Sequence, residues 1–335
     1  MNFEVQSKHL YSKNKRQRLK KTISRSISFN ELVGGANDIV IVQTDDGQYR
    51  STPINIVIGK LSNKKTIFNS RKNGKGKLFV NGHQVLMETK IRIGKSGLVY
   101  IKRHFNSICY SFNDGEISQL KLSTGRNEAR FSIEEFGINV FFSIYLFPSN
   151  SKFIVSDIDG TITRSDIFGF VGGKFGIEVH HLDVVRFLNN AHVNGYQILY
   201  LSARPVAFDQ GTREYLFENL SNTDGGYQLP FGPVFLSPIT TDRLGLTDPS
   251  VVKTSVLNSF LSSFKCKEEV IVGAFGNKET DTHAYSNVEI PLDKIFILDK
   301  ESQISNVGTK KTYSYSELAD KVDSLFPNRT TMRNT

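Results

Sequence analysis

The chain has no tryptophan, two cysteines and three methionines among 335 residues. Cys109 and Cys266 cannot build a disulfide framework, so a reducing compartment is the simpler expectation. No apolar run is long enough for a membrane-spanning helix. The longest, from Ile138 to Phe147, is interrupted by Asn139 and Ser143 and falls well short of the roughly 20 residues required. Charge precedes any apolar segment at the N-terminus, which argues against a secretory leader. There is no internal repeat and no long low-complexity linker. What is present is ordinary for a globular protein: 39% hydrophobic and 22% charged residues. At roughly 100–200 residues per domain the length suggests two domains. A cytosolic protein with no transmembrane segment is expected.

Charge is concentrated at one end. The net charge is +9, and residues 1–30 carry Lys8, Lys13, Lys15, Arg16, Arg18, Lys20, Lys21 and Arg25 against Glu4 alone. The rest is nearly neutral. Such a block points to an anionic partner, nucleic acid or an anionic membrane. Leu19, Ile23 and Ile27 are four apart and would share one helix face, with Lys20, Lys21 and Arg25 off it. A basic helix with an apolar stripe favours a lipid surface, so Lys15, Arg16, Arg18, Leu19, Lys20, Lys21, Ile23, Arg25 and Ile27 form the candidate membrane segment. A solvated tail or a localisation signal is the competing reading.

Residues from about 37 to 148 read as β structure throughout. Strands are expected at 38–42, 54–58, 78–80, 84–86, 91–93, 98–101, 120–122 and 138–146. Asn81-Gly82 marks a hairpin with a type I′ turn. Many short strands with glycine-bearing turns imply a sandwich. The pattern changes near Ser149-Asn150. Strands at 153–155, 198–201, 234–236, 270–272 and 295–298 then alternate with helices at 181–191, 212–220 and from Asp248-Pro249 onward. Leu182, Val185 and Leu188 are expected on one face of the first of these helices. Ser314 and Glu317 form a capping box opening a last helix. Alternation of this kind means a parallel, doubly wound sheet whose site lies at the carboxyl ends of its strands. The expected division is 1–28 basic segment, 29–149 β-sandwich, 150–327 α/β catalytic domain and 328–335 tail.

The chemistry sits at those strand ends. Asp157-Ile158-Asp159-Gly160-Thr161-Ile162-Thr163 directly follows the first α/β strand. Two carboxylates two residues apart can face one pocket if the chain turns, and Gly160 permits the turn. Clustered carboxylates call for a divalent cation, and oxygen ligands suit Mg²⁺. Asp157 can then act as nucleophile and Asp159 as acid–base, the pattern of aspartyl-phosphate chemistry. Ser202-Ala203-Arg204 ends the next strand, with a hydroxyl able to bond a phosphate oxygen. Lys253, in the first turns of a helix, can neutralise charge among phosphate and carboxylates. Asn277 and Asp281 offer oxygen ligands after the strand at 270–272, and either could be the direct one. These are the parts phosphoryl transfer needs. His180-His181 has no third metal ligand nearby and reads as a helix start.

In this order the elements resemble the haloacid dehalogenase-like phosphatases, and more closely the lipin family of Mg²⁺-dependent phosphatidate phosphatases. Ser156 to Asp166 is similar to the lipin signature almost residue for residue. Leu201-Ser-Ala-Arg204, Gly211 to Leu216, Gly232-Pro233 with Leu236-Ser-Pro238, and Ala274-Phe-Gly-Asn277 with Asp281 and Tyr285 continue it. Asp38 to Val42 with Ser51, Pro53 and Ile58-Gly-Lys60 resembles the family's N-terminal conserved region. Leu120-Lys-Leu122, Gly125, Asn127 and Phe131-Ser132 resemble the start of its C-terminal one.

The resemblance implies a haloacid dehalogenase-like α/β domain carrying an immunoglobulin-like β-sandwich. It implies hydrolysis of phosphatidate to diacylglycerol and phosphate. Asp157, Asp159, Thr161, Ser202 and Lys253 would be catalytic, and Gly160, Ser202, Ala203, Arg204 and Lys253 would contact substrate. The metal would lie on Asp157, the Asp159 main chain, and Asn277 or Asp281. Thr212-Arg213 stands where either a phosphate contact or a solvated helix start fits. Gly59 matches a family glycine tied to activity and equally fits a strand-end turn. The resemblance further implies a cytoplasmic protein associated peripherally with phosphatidate-containing membranes of the endoplasmic reticulum or nuclear envelope, without nucleic acid. The short stretch from Arg103 to Gly115 stands where the family usually carries a long variable segment. A phosphatase for soluble phosphoesters or phosphoproteins, and a catalytically silent membrane adaptor, are the alternatives. Deleting residues 1–28 is expected to weaken binding to anionic vesicles, most clearly at low salt. A sedimentation assay showing unchanged binding would refute the segment's role.

Overall fold

The computed structural model describes residues 32–60, 72–94, 97–102, 108–109, 111–164, 180–220, 227–238 and 248–329. The candidate membrane segment lies outside the described residues. Among them, no helix is long and apolar enough to cross a membrane.

The first half holds β1 (Leu32–Ala36), β2 (Ile39–Gln43), β3 (Tyr49–Ser51), β4 (Ile56–Lys60), β5 (Lys72–Val80), β6 (His83–Ile93), β7 (Val99–Lys102), β8 (Ile108–Cys109), helix α1 (Asp114–Gln119), β9 (Gly125–Ile133) and β10 (Ile138–Pro148). Eight strands form one sheet in the order β3-β2-β10-β9-β5-β6-β7-β8, while β1 and β4 pair with each other. Within the large sheet β2–β10 is parallel and the other pairings are antiparallel. The β1–β4 ladder packs closely on β10, because a Cβ on Gly34 would lie 2.5 Å from Val140 Cγ2. Ile39, Ile41, Ile58, Ile91, Phe131 and Val140 fill the core of this half. Asn81 and Gly82 both have positive φ, 49° and 86°, as a type I′ hairpin turn requires. Gly59 lies inside β4, paired with Val33, and not in a turn.

Two local expectations fail here. Residues 120–122 are not a strand. Asn113 and Glu116 cap each other's backbone N–H groups and start α1. Lys121 then turns left-handed at φ 48°. Strand β9 was not anticipated, although Asn127, Ala129, Phe131 and Ile133 are buried and Glu128 faces solvent, the alternation of a strand with one wet face.

The second half holds β11 (Phe153–Asp157), α2 (Val184–Val193), β12 (Gln197–Pro205), α3 (Asp209–Glu214), β13 (Val234–Ser237), α4 (Pro249–Leu261), β14 (Ile271–Gly276), α5 (Glu279–Asn287), β15 (Ile295–Leu298), β16 (Ile304–Asn306), β17 (Thr312–Tyr313), α6 (Tyr315–Asp320) and α7 (Val322–Leu325). Its sheet runs β13-β12-β11-β14-β15-β16-β17. The first five strands are parallel and the last two antiparallel. Helices cover both faces. Val184, Val185, Phe187 and Leu188 of α2 pack with Leu318 of α6 on one core. Leu257, Phe260 and Leu261 of α4 pack with Tyr285 of α5 on the other. Helix α2 starts only at Val184, after Asp183 takes φ 63°, so Leu182 is 68% exposed and not on the buried face.

The two halves share that second core. Val40, Val42, Tyr145 and Phe147 pack with Phe153, Leu199, Phe235 and Phe260 in one cluster. The Phe153 ring meets Phe147 and Phe260 edge-on at 5.2 and 4.9 Å. A polar joint completes the contact. Strand β13 is a sheet edge, with backbone groups that need partners. Asn37 Nδ2 donates to the Leu236 carbonyl at 2.9 Å, and Leu236 N donates to Asn37 Oδ1 at 2.7 Å. Asp38 N donates to the Val234 carbonyl, and Val234 N donates to Asp38 Oδ2 at 2.8 Å. The chain at 37–38 thus closes the open edge as a short strand would. Close approach next to it requires a glycine, since a Cβ on Gly35 would sit 2.0 Å from the Val206 carbonyl oxygen. Gly35→Ala is expected to destabilise the protein by about 2–3 kcal/mol, the cost of overpacking against backbone that cannot move aside. An unchanged urea midpoint would show that the joint is loose.

Candidate active site

Strands β11, β12 and β14 end at one rim, and the first turns of α4 and α5 rise beside it. Asp157 is the last residue of β11 and is buried. Lys253 reaches it from α4, which starts where Asp248 Oδ1 accepts from Ser250 N and Pro249 takes the first helical position. Lys253 Nζ lies 2.6 Å from Asp157 Oδ1 and 2.5 Å from Asp281 Oδ1. Asp281 Oδ2 accepts from the N–H groups of Asn277 and Lys278 at 3.0 and 3.1 Å. Gly276 makes room for it, since a Cβ there would fall 2.4 Å from Asp281 Cβ.

Burial acts on both partners of the ammonium cluster. It pushes the Asp157 carboxyl up to about 7, against the pull of Lys253 and with the added repulsion of Asp281 and Asp159. For Lys253, burial works to lower the pKa, but the two carboxylates outweigh it and hold the ammonium above its ordinary range. The lysine is therefore charged at neutral pH.

Asp159 turns the other way. Its oxygens accept from Arg204 Nε at 3.0 and 2.9 Å and from Arg204 Nη2 at 2.5 Å. Ser202 Oγ donates to Asp159 Oδ2 at 2.9 Å and accepts from Arg204 N at 3.1 Å. Serine, arginine and aspartate thus form one closed unit at the ends of β11 and β12, with half-buried Ala203 between the first two.

The turn after Asp159 is held from several sides. Gly160 has φ +80°, a conformation that favours glycine, and a Cβ there would lie 1.9 Å from Asn277 Nδ2. Thr163 Oγ1 accepts from Gly160 N at 3.0 Å. Tyr315 OH donates to the Thr161 carbonyl at 3.1 Å. His181 N donates to the Ile162 carbonyl, and its ring lies 3.0 Å from Ser302 Oγ. Thr161 Oγ1 and Asn277 Oδ1 are buried and have no hydrogen-bond partner. An orphaned amide oxygen beside a glycine turn and two carboxylates is a set of donors that suits a hard divalent cation. Among the described residues no group of three or more His, Cys, Asp or Glu could hold a metal, so a cation here would need mixed oxygen ligands.

The structure therefore brings Asp157, Asp159, Gly160, Thr161, Ser202, Arg204, Lys253, Asn277 and Asp281 to one rim. Arg213 is placed elsewhere, neither at phosphate nor in solvent. It is half-buried, with Nη1 at 2.8 Å from Asp38 Oδ2 and Nε on Asp209 Oδ1. Burial raises Asp209 to about 6 while Arg213 pulls it down. Asp209 Oδ2 also accepts from Ala36 N. This joint was missed. Its one sequence signal is Asp38, an acid directly before the apolar run of β2.

Aspartates, a lysine and a strand-end hydroxyl at the rim of a parallel sheet are the groups that phosphoryl transfer uses. Residues 109–327 match LNS2 (Lipin/Ned1/Smp2), and residues 14–117 match the lipin N-terminal conserved region. The chain belongs to the lipin family. It is 34% identical over 221 residues to phosphatidate phosphatase LPIN2 of Mus musculus, covering 63% of this chain and 24% of that one. It is 31% identical over 246 residues to phosphatidic acid phosphohydrolase 1 of Saccharomyces cerevisiae, covering 68% and 28%. Identity to phosphatidate phosphatase PAH1 of Arabidopsis thaliana is 31% over 223 residues, covering 63% and 24%. The chain thus matches about a quarter of the length of these relatives. A solved structure, the cobalt-bound deoxy-D-mannose-octulosonate 8-phosphate phosphatase (YrbI) from Haemophilus influenzae, aligns at a TM-score of 0.30 and 17% identity, over 56% of this chain and 95% of that one, too weakly to bear on the fold.

Lys253→Met is expected to cost about 3–5 kcal/mol at pH 7, because it leaves Asp157 and Asp281 buried without a cation. Burial already raises the Asp157 carboxyl above its ordinary range, and without the lysine that charged form loses its partner, so the deficit shrinks as pH falls through the raised range. A variant as stable as the parent at pH 7 in urea unfolding would show that the ammonium is not needed.

Proposed function

We propose that the protein is a Mg²⁺-dependent phosphatidate phosphatase that works at a membrane surface through a phosphorylated aspartate. The observation that carries this reading is the pairing of Asp157 with Lys253 at a strand end, 2.6 Å apart, beside the unpartnered Asn277 Oδ1. The names of the relatives supply the substrate class. The finer fold assignments go with it: a haloacid dehalogenase-like catalytic half (150–327) and an immunoglobulin-like sandwich (29–149), supported by the sheet orders.

Asp157 attacks phosphorus, the bond from phosphorus to the glycerol oxygen breaks, and that oxygen takes a proton from Asp159. Asp159 then takes a proton from a water, whose oxygen attacks the phosphoaspartate and releases phosphate. Ser202 and Lys253 bind phosphoryl oxygens and offset the charge that builds on them. Asp157, the Asp159 carbonyl and Asn277 Oδ1 would hold the cation, which when bound supplies charge neutralisation for the phosphoryl group. Asn277 is favoured over Asp281 as the direct ligand because Asp281 has both oxygens engaged. The basic segment at 15–27 would bring this rim to an anionic bilayer. A cytoplasmic, peripherally bound enzyme is the corresponding location.

Phosphate release from phosphatidate vesicles is expected to exceed release from glycerol 3-phosphate, to need Mg²⁺, and to fall at least about a thousandfold in Asp157→Asn. Equal or faster turnover of the soluble ester would overturn the lipid reading. Retained activity in the variant would overturn the nucleophile.

A further inference from the structure

The Arg204–Asp159 pair poses a chemical conflict. On the reading above, Asp159 must meet the leaving oxygen. Yet both its oxygens are occupied by Arg204 and Ser202. The pair also sits nearer the surface than the lysine cluster: the side chains of Arg204 and Asp159 are 11% and 10% exposed, those of Lys253 and Asp157 6% and 3%. The guanidinium is thus the more solvent-accessible of the two cations at the rim. The guanidinium fork matches two phosphoryl oxygens as well as two carboxylate oxygens. Its backbone stays anchored, because Arg204 N donates to Ser202 Oγ. Its Nη1 makes only a long contact, 3.4 Å to Thr212 Oγ1, so the head is held chiefly by the Asp159 pair, which an entering dianion can replace.

We propose that Arg204 is an exchange latch. In the free enzyme its guanidinium closes on Asp159. When a phosphomonoester dianion enters, the guanidinium transfers to the phosphoryl oxygens and leaves the Asp159 carboxyl facing the leaving oxygen. The exchange is one of ion-pair partners and involves no covalent step. It selects for phosphomonoesters, since a diester carries one charge less with which to draw the guanidinium away. This rests on the phosphatase reading and adds what makes Asp159 available.

The alternative is a fixed clamp, in which Arg204 stays on Asp159 throughout. The two differ in how Asp159 affects phosphate affinity. Inorganic phosphate binding is measured by calorimetry on the full chain in Mg²⁺ buffer, for the parent, Asp159→Asn, Arg204→Gln and the double variant. The latch predicts that Asp159→Asn binds phosphate about tenfold more tightly, because the competitor for Arg204 is weakened. It predicts that Arg204→Gln binds about tenfold more weakly. In the Arg204→Gln background the gain from Asp159→Asn should drop below about threefold, a coupling that only two interacting partners produce. Equal gains in both backgrounds, or an Arg204→Gln affinity unchanged, would overturn the latch. Asp159→Asn is nearly isosteric, and its failure to tighten phosphate binding overturns the latch even if Arg204→Gln does not fold. A parent that hydrolyses phosphomonoesters without the coupling removes the latch alone. A parent that neither binds phosphate nor hydrolyses any phosphomonoester removes the phosphatase reading with it.

Discussion

One buried ammonium ties the rim of the seven-stranded sheet together. Lys253 belongs to α4, Asp157 to β11 and Asp281 to α5, and the three meet within hydrogen-bond distance. Burying charges costs several kcal/mol per ion unless each finds a partner, so the elements that carry them are held where the pairing is good. Two carboxylates and one ammonium leave a net negative charge. A divalent cation would reverse that sign before a phosphate dianion arrives, which is the electrostatic reason such a floor and such a cation go together. The rest of the rim follows: Gly276 and Gly160 exist as glycines because Asp281 and Asn277 press against them.

A second constraint joins the two halves. The edge of β13 needs backbone partners, and Asn37 and Asp38 provide them from the N-terminal region. Asp38 also takes Arg213, which Asp209 holds from the other side. Helix α3, carrying Asp209 and Arg213, begins just after the Ser202–Arg204 strand end. The N-terminal region therefore braces the wall of the site and does not merely hang beside it. Val40, Val42, Tyr145 and Phe147 lie in the same core as Phe153 and Phe260, so the β half and the α/β half share buried apolar surface at their contact.

Much of this was legible in the residues. Asp-x-Asp-Gly at a strand end, a serine closing the next strand and a lysine in a capped helix are local signals, and each appears where expected. The Asn81-Gly82 turn and the Asp248-Pro249 helix start were equally clear, because turn and cap chemistry act within four residues. Strand β9 and the end of α1 were harder. Arg126, Glu128 and Arg130 mask an inward row that alternates with them, and the Asn113–Glu116 cap overrides the strand propensity of Leu120 and Leu122.

The amino-acid order alone determined the alternation of strands and helices and the rim at which the acidic and basic groups stand, since these depend on short-range pattern. Pairing was decided by the tertiary structure. That Asp159 faces Arg204 while Asp157 faces Lys253, that Asn277 keeps a bare amide oxygen while Asp281 does not, and that Arg213 is swallowed by Asp38 all rest on contacts between residues up to 175 positions apart. Charges choose partners by distance and burial, and neither exists until the sheets have packed.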